Sequence, residues 1–186
     1  MLNKIETKVK DCFLFKLERF TDDRGFFQEC FKYENYEPFL DFGMSFNWKQ
    51  MNWSNNKKHV LRGIHVAPYG KLVTCVSGKI WDCVVDLRAA SETFLQVYSV
   101  ELSQEQPQQI FVPPGCGHAF VSLEDCTSVV YLQTQEYSLN KEVTLNHKEP
   151  FLKIEWPGSN HILSPRDKNG MSLQDVLNYR FFQNRV

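Results

Sequence analysis

The chain has 186 residues, of which 42% are hydrophobic and 23% charged, as is usual for a soluble globular protein. Its 21 Lys and Arg residues nearly balance its 22 Asp and Glu residues, and no basic block is present. This charge pattern argues against a nucleic acid as partner, whereas a few local cations suffice to bind a small anionic ligand.

The N-terminal third of the chain gives mixed structural signals. The apolar run 13–17 predicts a strand, and the polar segment 21–25 predicts a turn ahead of two phenylalanines. Residues 35–43 predict a short helix that ends at Gly43. Residues 54–58 are polar and predict a loop.

The middle of the chain carries short strand signals separated by turns. Aromatic residues make up 14% of the sequence and favour a β-rich core, with an aromatic pocket or an oligomer interface as the alternative reading. Strands at this close spacing predict a sandwich or barrel rather than alternating α/β structure. The candidate strands are 60–65, 71–76, 79–86, 94–102, 109–112, 117–123 and 127–133.

The end of the chain predicts one longer helix, at 172–182. No repeat or low-complexity linker divides the sequence, so we expect a single domain over residues 1–186.

Neither a membrane span nor a targeting signal is visible. No apolar stretch approaches the ~18 residues of a spanning helix, and residues 1–10 lack the apolar core of a secretory signal. The six cysteines are scattered, without a C-x-x-C pair. We therefore expect a cytoplasmic protein with no membrane partner and with reduced thiols, and zinc ligation by cysteine is the alternative.

Two stretches of the middle segment resemble the two motifs of the cupin superfamily. The first runs from Gly63-Ile64-His65 to Gly78, and the second is the P-x-G-x-x-H pattern at 113–118. The resemblance implies an all-β cupin jelly-roll barrel whose interior holds the active site. With the other signals, we expect short peripheral helices and a C-terminal helix around it.

The first motif lacks the usual metal ligands of this superfamily. Metal-binding cupins offer two histidines one residue apart and a glutamate, but here His65 stands alone and position 67 is Ala67. One or two histidines do not hold a catalytic metal without carboxylates beside them. We therefore predict acid–base chemistry without metal or cofactor, with a metal-dependent cupin as the alternative.

His65 is a candidate general base, because histidine titrates near neutral pH. The alternative is a core histidine that bonds a backbone carbonyl. Arg62 lies three residues earlier, so in a regular strand the two side chains would face opposite sides. An irregularity at the Arg62–Gly63 step would bring them to the same side.

Longer stretches resemble the dTDP-4-dehydrorhamnose 3,5-epimerase family in particular. The likeness covers roughly residues 20–167 in family order. The matching stretches are Asp23-Arg24-Gly25-Phe26-Phe27-Gln28-Glu29, Val60 to His65, Gly70 to Val73, Asp82 to Arg88, Val112 to Phe120, Val130-Tyr131, Ile154 to Pro157 and Leu163 to Asp167.

The resemblance implies a proton-transfer site. His65 would abstract the substrate proton, and Asp167 would accept a hydrogen bond from its other ring nitrogen. Tyr131 would protonate the enolate from the opposite face, and Lys71 would stabilise its oxygen. Without the resemblance, Tyr131 would be read as a core aromatic and Asp167 as a turn or helix-capping residue.

The resemblance also implies a nucleotide-sugar substrate and a homodimer. Arg62 would bind the pyrophosphate, while Arg24 and Glu29 would reach the phosphate and base from the partner subunit. The other implied substrate contacts are Gln50 and Asn52 near the nucleotide and sugar, His118 near the sugar, and Phe27 and Tyr137 stacked on the base.

Three departures from the family leave the substrate open. The loop 66–70 is short, Ala119 replaces a glycine after His118, and Leu132 follows Tyr131 where lysine is frequent. The alternatives are a mono-epimerase or a 3,4-ketoisomerase, acting on a dTDP-, GDP- or CDP-linked keto-sugar, heptoses included. A non-catalytic cupin that binds sugar nucleotides is a further alternative, against which the intact catalytic set counts.

Overall fold

The computed structural model describes residues 2–37 and 48–179. Within these ranges, no helix is long and apolar enough to cross a membrane. The helices are α1 (Tyr33–Tyr36), α2 (Pro165–Lys168) and α3 (Leu173–Leu177). The strands are β1 (Asn3–Glu6), β2 (Phe13–Lys16), β3 (Phe20–Asp22), β4 (Gly25–Phe27), β5 (Gln50–Asn56), β6 (Leu61–Val66), β7 (Lys71–Ser77), β8 (Lys79–Asp86), β9 (Val97–Ser103), β10 (Gln108–Val112), β11 (Cys116–Ser122), β12 (Thr127–Gln133) and β13 (Val143–Thr144).

Two antiparallel sheets form the body of the protein. The first has the order β1-β2-β10-β7-β12-β5, and the second β13-β6-β11-β8-β9. The main core lies between them, where Val73 and Ile110 from the first sheet pack with Val84 and Phe120 from the second. The prediction of an all-β fold is confirmed.

The outer face of each sheet is also covered. Cys83 and Val85 alternate with the inward Val84 along β8, as the period of two in a strand requires. They pack on the C-terminal segment, including Leu145 and Val176. Because this segment lies against the second sheet, it brings α2 next to β6.

The N-terminal hairpin of β3 and β4 stands apart from both sheets. We call residues 20–29 the N-terminal arm. Its turn at Asp23 and Arg24 agrees with the predicted turn at 21–25.

Three predicted elements differ from the structure. The loop predicted at 54–58 is wrong for 54–56, which extend β5, because β12 supplies backbone partners and Asn56 donates to the Thr127 carbonyl. The strand predicted at 94–102 begins only at Val97, after Leu95 adopts a left-handed φ of 65°. The helix predicted at 172–182 ends at Leu177, while 180–182 lie outside the described residues.

The short helix predicted at 35–43 is present only at its start. It forms as α1, which begins at Tyr33 and ends at Tyr36. Residues 38–43 lie outside the described residues. Tyr36 is buried on the outer face of the first sheet, where its hydroxyl and Gln109 are hydrogen-bonded.

Candidate active site

An irregularity in β6 turns Arg62 and His65 to the same side. Three steps along β6, from Arg62 to His65, lie opposite two steps along β11, from Phe120 to His118. Gly63 makes this possible, since it has φ 125° and a Cβ there would lie 2.5 Å from that of Ala119. The predicted irregularity is therefore present, and His65 faces the interior between the sheets.

His65 is paired with Asp167, which lies 102 positions away in the chain. The His65 Nε2 atom lies 2.6 Å from Asp167 Oδ1. Ser164 caps α2, and its hydroxyl donates to Asp167 Oδ2 at 2.8 Å. Ser164, and not Asp167, is therefore the N-cap of α2. Ser164 binds Oδ2 of Asp167, so Oδ1 remains available for His65.

The protonation of this pair follows from its surroundings. Burial opposes ionisation of Asp167, but the hydrogen bond from His65 and the other donors outweigh it, so the pKa of Asp167 is lowered. Because Asp167 is then a carboxylate, His65 Nε2 is the donor in this hydrogen bond, so in the neutral form of the ring the lone pair lies on Nδ1. The side chain is 25% exposed, so a small molecule can approach it.

Glu142, which sequence reasoning missed, binds several groups beside His65. Its Oε2 atom accepts from the Tyr69 hydroxyl at 2.9 Å and from Lys71 Nζ at 3.3 Å. Its Oε1 atom lies 3.1 Å from Arg166 Nη2 and 4.0 Å from His65 Nδ1. We call Glu142, Tyr69, Lys71 and Arg166 the Glu142 network.

Lys71 is a buried cation in this network, with 5% of the residue exposed. Burial lowers its pKa, and the carboxylate of Glu142 opposes that effect. Its Nζ atom also lies 5.6 Å from the centre of the Tyr69 ring. The structure therefore brings Lys71 close to His65 through a shared carboxylate, although the two strands belong to different sheets.

Tyr131 lies on β12, opposite Val73 on one side and Asn52 on the other. Burial raises its pKa, the charge of Glu142 adds to this effect, and Arg62 opposes it. Its hydroxyl is therefore protonated at neutral pH and can give a proton away. No other described residue forms a hydrogen bond with that hydroxyl.

A chain of hydrogen bonds links the outer strand β5 to the Glu142 network. Gln50 donates to Asn52 at 2.7 Å, and Asn52 donates to Gln133 at 3.2 Å. Gln133 in turn donates to the Tyr69 hydroxyl at 3.4 Å. Two of the predicted substrate contacts, Gln50 and Asn52, thus lie on one polar path to the site.

Tyr137 joins the same region. The backbone N–H of Tyr137 donates to Gln50 Oε1 at 2.8 Å, and the Tyr137 hydroxyl accepts from Arg166 Nη1 at 3.3 Å. The residue is 44% exposed, so the ring is accessible for stacking. The exposed Arg62 donates to Asn56 at 2.7 Å.

His118 lies beside His65 on the neighbouring strand. It is buried and its Nε2 atom lies 2.8 Å from Asp82 Oδ2. The other oxygen of Asp82 is buried with no partner among the described residues. His118 thus belongs to the same interior wall as His65 and is held by its own carboxylate.

The predicted arm residues are not brought to the site within one chain. Arg24 forms an ion pair with Asp22 in the hairpin turn and is 90% exposed. Glu29 accepts from Asn35, and Phe27 is 70% exposed. None of these contacts, all made by described residues, reaches the Glu142 network.

His65 and His118 each form a hydrogen bond with one carboxylate, Asp167 and Asp82 respectively. Within 2–37 and 48–179, no group of three or more His, Cys, Asp or Glu side chains is placed to hold a metal ion. All six cysteines are free, four of them buried. The expectation of metal-free chemistry stays a prediction.

Comparison with known proteins places this geometry in a family. The model of the family described as dTDP-4-dehydrorhamnose 3,5-epimerase matches residues 6–175. A dTDP-4-dehydrorhamnose 3,5-epimerase from Shigella flexneri is 38% identical over 179 residues, which are 94% of this chain and 98% of that protein. One from Mycobacterium tuberculosis is 38% identical over 162 residues, covering 83% of this chain and 79% of that protein.

Solved structures agree with the sequence relatives. A dTDP-6-deoxy-D-glucose-3,5-epimerase from Legionella pneumophila, in complex with dTDP-4-keto-L-rhamnose, superposes with a TM-score of 0.90 at 33% identity, over 98% of this chain and 97% of that one. A 3'-monoepimerase from Streptomyces bikiniensis, in complex with dTDP-quinovose, gives 0.85 at 30% identity, over 95% and 90%. The predicted cupin-type jelly-roll fold is confirmed by these likenesses.

Proposed function

The chain belongs to the dTDP-4-dehydrorhamnose 3,5-epimerase family and is an isomerase of nucleotide-linked sugars; we propose that it inverts C3 and C5 of a dTDP-linked 4-keto-6-deoxyhexose. The observation that carries the proposal is the 2.6 Å contact between His65 and Asp167, with Lys71 paired to Glu142 beside His65 and Tyr131 close enough for the charge of Glu142 to raise its pKa. No cofactor or metal is needed in this proposal.

The chemistry depends on the C4 ketone of such a substrate. The protons at C3 and C5 are both next to this ketone, so removal of either gives an enolate whose charge rests on O4. Nδ1 of His65 takes the proton, since Nε2 is occupied by Asp167. The Asp167 carboxylate fixes the ring and stabilises the imidazolium that forms.

Inversion requires that the proton returns from the opposite face. Tyr131 gives its hydroxyl proton to the same carbon that His65 deprotonated, and both side chains then exchange protons with solvent. The Lys71 ammonium stabilises the negative charge at O4 while the enolate exists. Each centre inverted therefore uses one deprotonation and one protonation, with no net change in the enzyme.

Nucleotide binding falls to residues at the edge of this pocket. Arg62 binds the pyrophosphate, because a guanidinium offers paired donors to phosphate oxygens. Gln50 and Asn52 bind the nucleotide and sugar, His118 lines the sugar pocket, and Tyr137 stacks on the base.

The remaining contacts come from a partner subunit in a homodimer. In that dimer Arg24, Glu29 and Phe27 of the arm reach the nucleotide of the neighbouring subunit. Exposed apolar side chains support this assembly, since Trp53 and Met51 on the edge strand β5 are 72% and 67% exposed. That residues 1–186 form one domain stays a prediction.

The proposal is tested by proton NMR in deuterium oxide with dTDP-4-keto-6-deoxyglucose and no added metal or cofactor. We expect deuterium at both C3 and C5, and none with His65→Ala. Exchange at one position would indicate a mono-epimerase, as in the Streptomyces relative, or a ketoisomerase if the ketone has moved. With no exchange, GDP- and CDP-linked keto-sugars, heptoses included, are the next substrates to test, and stoichiometric bound iron or zinc would overturn the mechanism.

A further inference from the structure

Glu142 is a buried carboxylate that the proposed reaction does not use. Only 5% of its side chain is exposed. It lies just before β13, whose pairing with β6 sets Thr144 opposite His65. A carboxylate in such a position is costly unless cations and hydrogen-bond donors surround it, so its neighbours indicate its role.

Three of those neighbours, Lys71, Arg166 and His65, are cations or become cations during the reaction, and the fourth is a neutral hydroxyl. Lys71 and Arg166 each form an ion pair with Glu142, and its remaining close partner is the Tyr69 hydroxyl. The ring atom of His65 that takes the substrate proton, Nδ1, lies 4.0 Å from Glu142 Oε1. Burial opposes ionisation of Glu142, but Lys71, His65 and the other neighbours outweigh it and lower its pKa.

Lys71 depends on this carboxylate. Glu142 is its salt-bridge partner, at 3.3 Å, and no other described acid pairs with it. An ammonium has three donors, of which this contact uses one, so others remain for a substrate oxygen. Arg166 and Tyr69 fix the carboxylate from the other sides, and Arg166 is itself held by Thr144 at 2.8 Å.

We propose that Glu142 is a positioning residue for the epimerase reaction: it keeps the buried Lys71 charged and fixed at the pocket wall, and it faces the nitrogen of His65 that becomes protonated. This inference rests on the proposed function, in which Lys71 stabilises the enolate oxygen. Lys71 acts on that oxygen only as an ammonium, so loss of the Glu142 charge removes the stabilisation as the pH rises.

The first test is the pH dependence of turnover in Glu142→Gln, which keeps the shape and removes the charge. The pKa of Lys71 falls when its carboxylate is lost, so the alkaline limb of the kcat profile moves to lower pH by about 1 unit or more. At neutral pH we expect kcat to fall roughly 10- to 100-fold, while KM changes little. Glu101→Gln, which alters an exposed glutamate of β9, is the matched control and keeps the wild-type profile.

Direct titration of Lys71 separates this inference from the proposed function, because it needs no substrate. The lysine side chains are labelled with carbon-13 at Cε and followed by NMR, and Lys71→Arg assigns the signal. The midpoint should fall in Glu142→Gln and stay near wild type in Glu142→Asp, which retains the charge. A fall in both variants would overturn the electrostatic role.

The outcomes are distinct. An unchanged Lys71 midpoint and an unchanged alkaline limb in Glu142→Gln would overturn the role of Glu142 even in an active epimerase. A lowered midpoint in a protein that turns over no keto-sugar would leave the link between Glu142 and Lys71 standing and overturn the proposed function. Should Glu142→Gln fail to fold, Glu142→Asp alone still tests the inference, since it should keep the alkaline limb in place.

Discussion

His65, Lys71, Tyr131 and His118 lie between the two sheets, and we call them the interior wall. The interior wall and the N-terminal arm differ in how much of each site a single chain completes. At the wall, His65 and Lys71 each have a carboxylate partner, and those carboxylates are themselves held by further donors. On the arm, Arg24 and Phe27 are largely exposed, and their contacts do not reach the wall. One chain therefore completes the groups to which we assign proton transfer, whereas we expect nucleotide binding to need a second chain.

The largest effect is expected for His65→Ala, which removes the proposed base. We expect turnover to fall by about 10⁴-fold or more, because the proposal assigns removal of the substrate proton to His65. Binding of dTDP should survive, since Arg62 and the outer strand are untouched. Turnover is measured by NMR and binding by calorimetry; substantial turnover in this variant would assign the base to another residue.

Tyr131→Phe separates removal of the proton on one face of the substrate from its return on the opposite face. The base remains, so proton exchange with deuterium oxide should continue, whereas inversion should slow by about 10²- to 10³-fold. Deuterium incorporation and product stereochemistry are followed in the same NMR experiment. Inverted product at the normal rate would show that another group gives the proton.

Arg24→Ala tests the arm instead of the wall. We expect KM to rise by about 10-fold while kcat stays nearly constant, because uniform binding is lost and the chemistry is intact.

Trp53→Lys, which places a charge on the exposed edge strand, should give monomers in sedimentation and a similar rise in KM. A monomeric wild-type protein would remove the roles given to Arg24 and Glu29.

The smallest effect concerns acid stability. Asp167 has a lowered pKa in the folded state, so it contributes stability above its unfolded-state pKa of ~3.9, and this is lost as the pH falls towards the folded-state value. Asp167→Asn lacks this contribution. The gap in unfolding free energy between the two proteins, on the order of 1 kcal/mol, should therefore narrow below about pH 4 in urea titrations. A constant gap would contradict the linkage.

The positions of most strands along the chain were predictable, whereas the extent of the helices was not. The strand predicted at 127–133 matches β12 in both bounds, because a run rich in β-branched and aromatic residues, Val129-Val130-Tyr131 among them, lies between polar segments at 124–125 and 135–136. The helix expected at 172–182 stops at Leu177, and the polar residues 54–56 became strand through pairing with β12. Local pattern fails where a neighbour far along the chain supplies the hydrogen bonds.

The site residues likewise divide into those that the sequence predicted and those that it did not. His65 lies two residues after Gly63 in a recognisable motif, and the family likeness extends the set to Lys71, Tyr131 and Asp167. Glu142 and Arg166 gave no comparable signal, because Glu142 precedes a strand of only two residues and Arg166 lies in a helix of four. The sequence by itself determined an all-β chain and a set of chemically suitable side chains. Only the tertiary structure decided which carboxylate serves which base or cation, since His65 and Asp167 are 102 positions apart and meet through sheet pairing and the packing of α2.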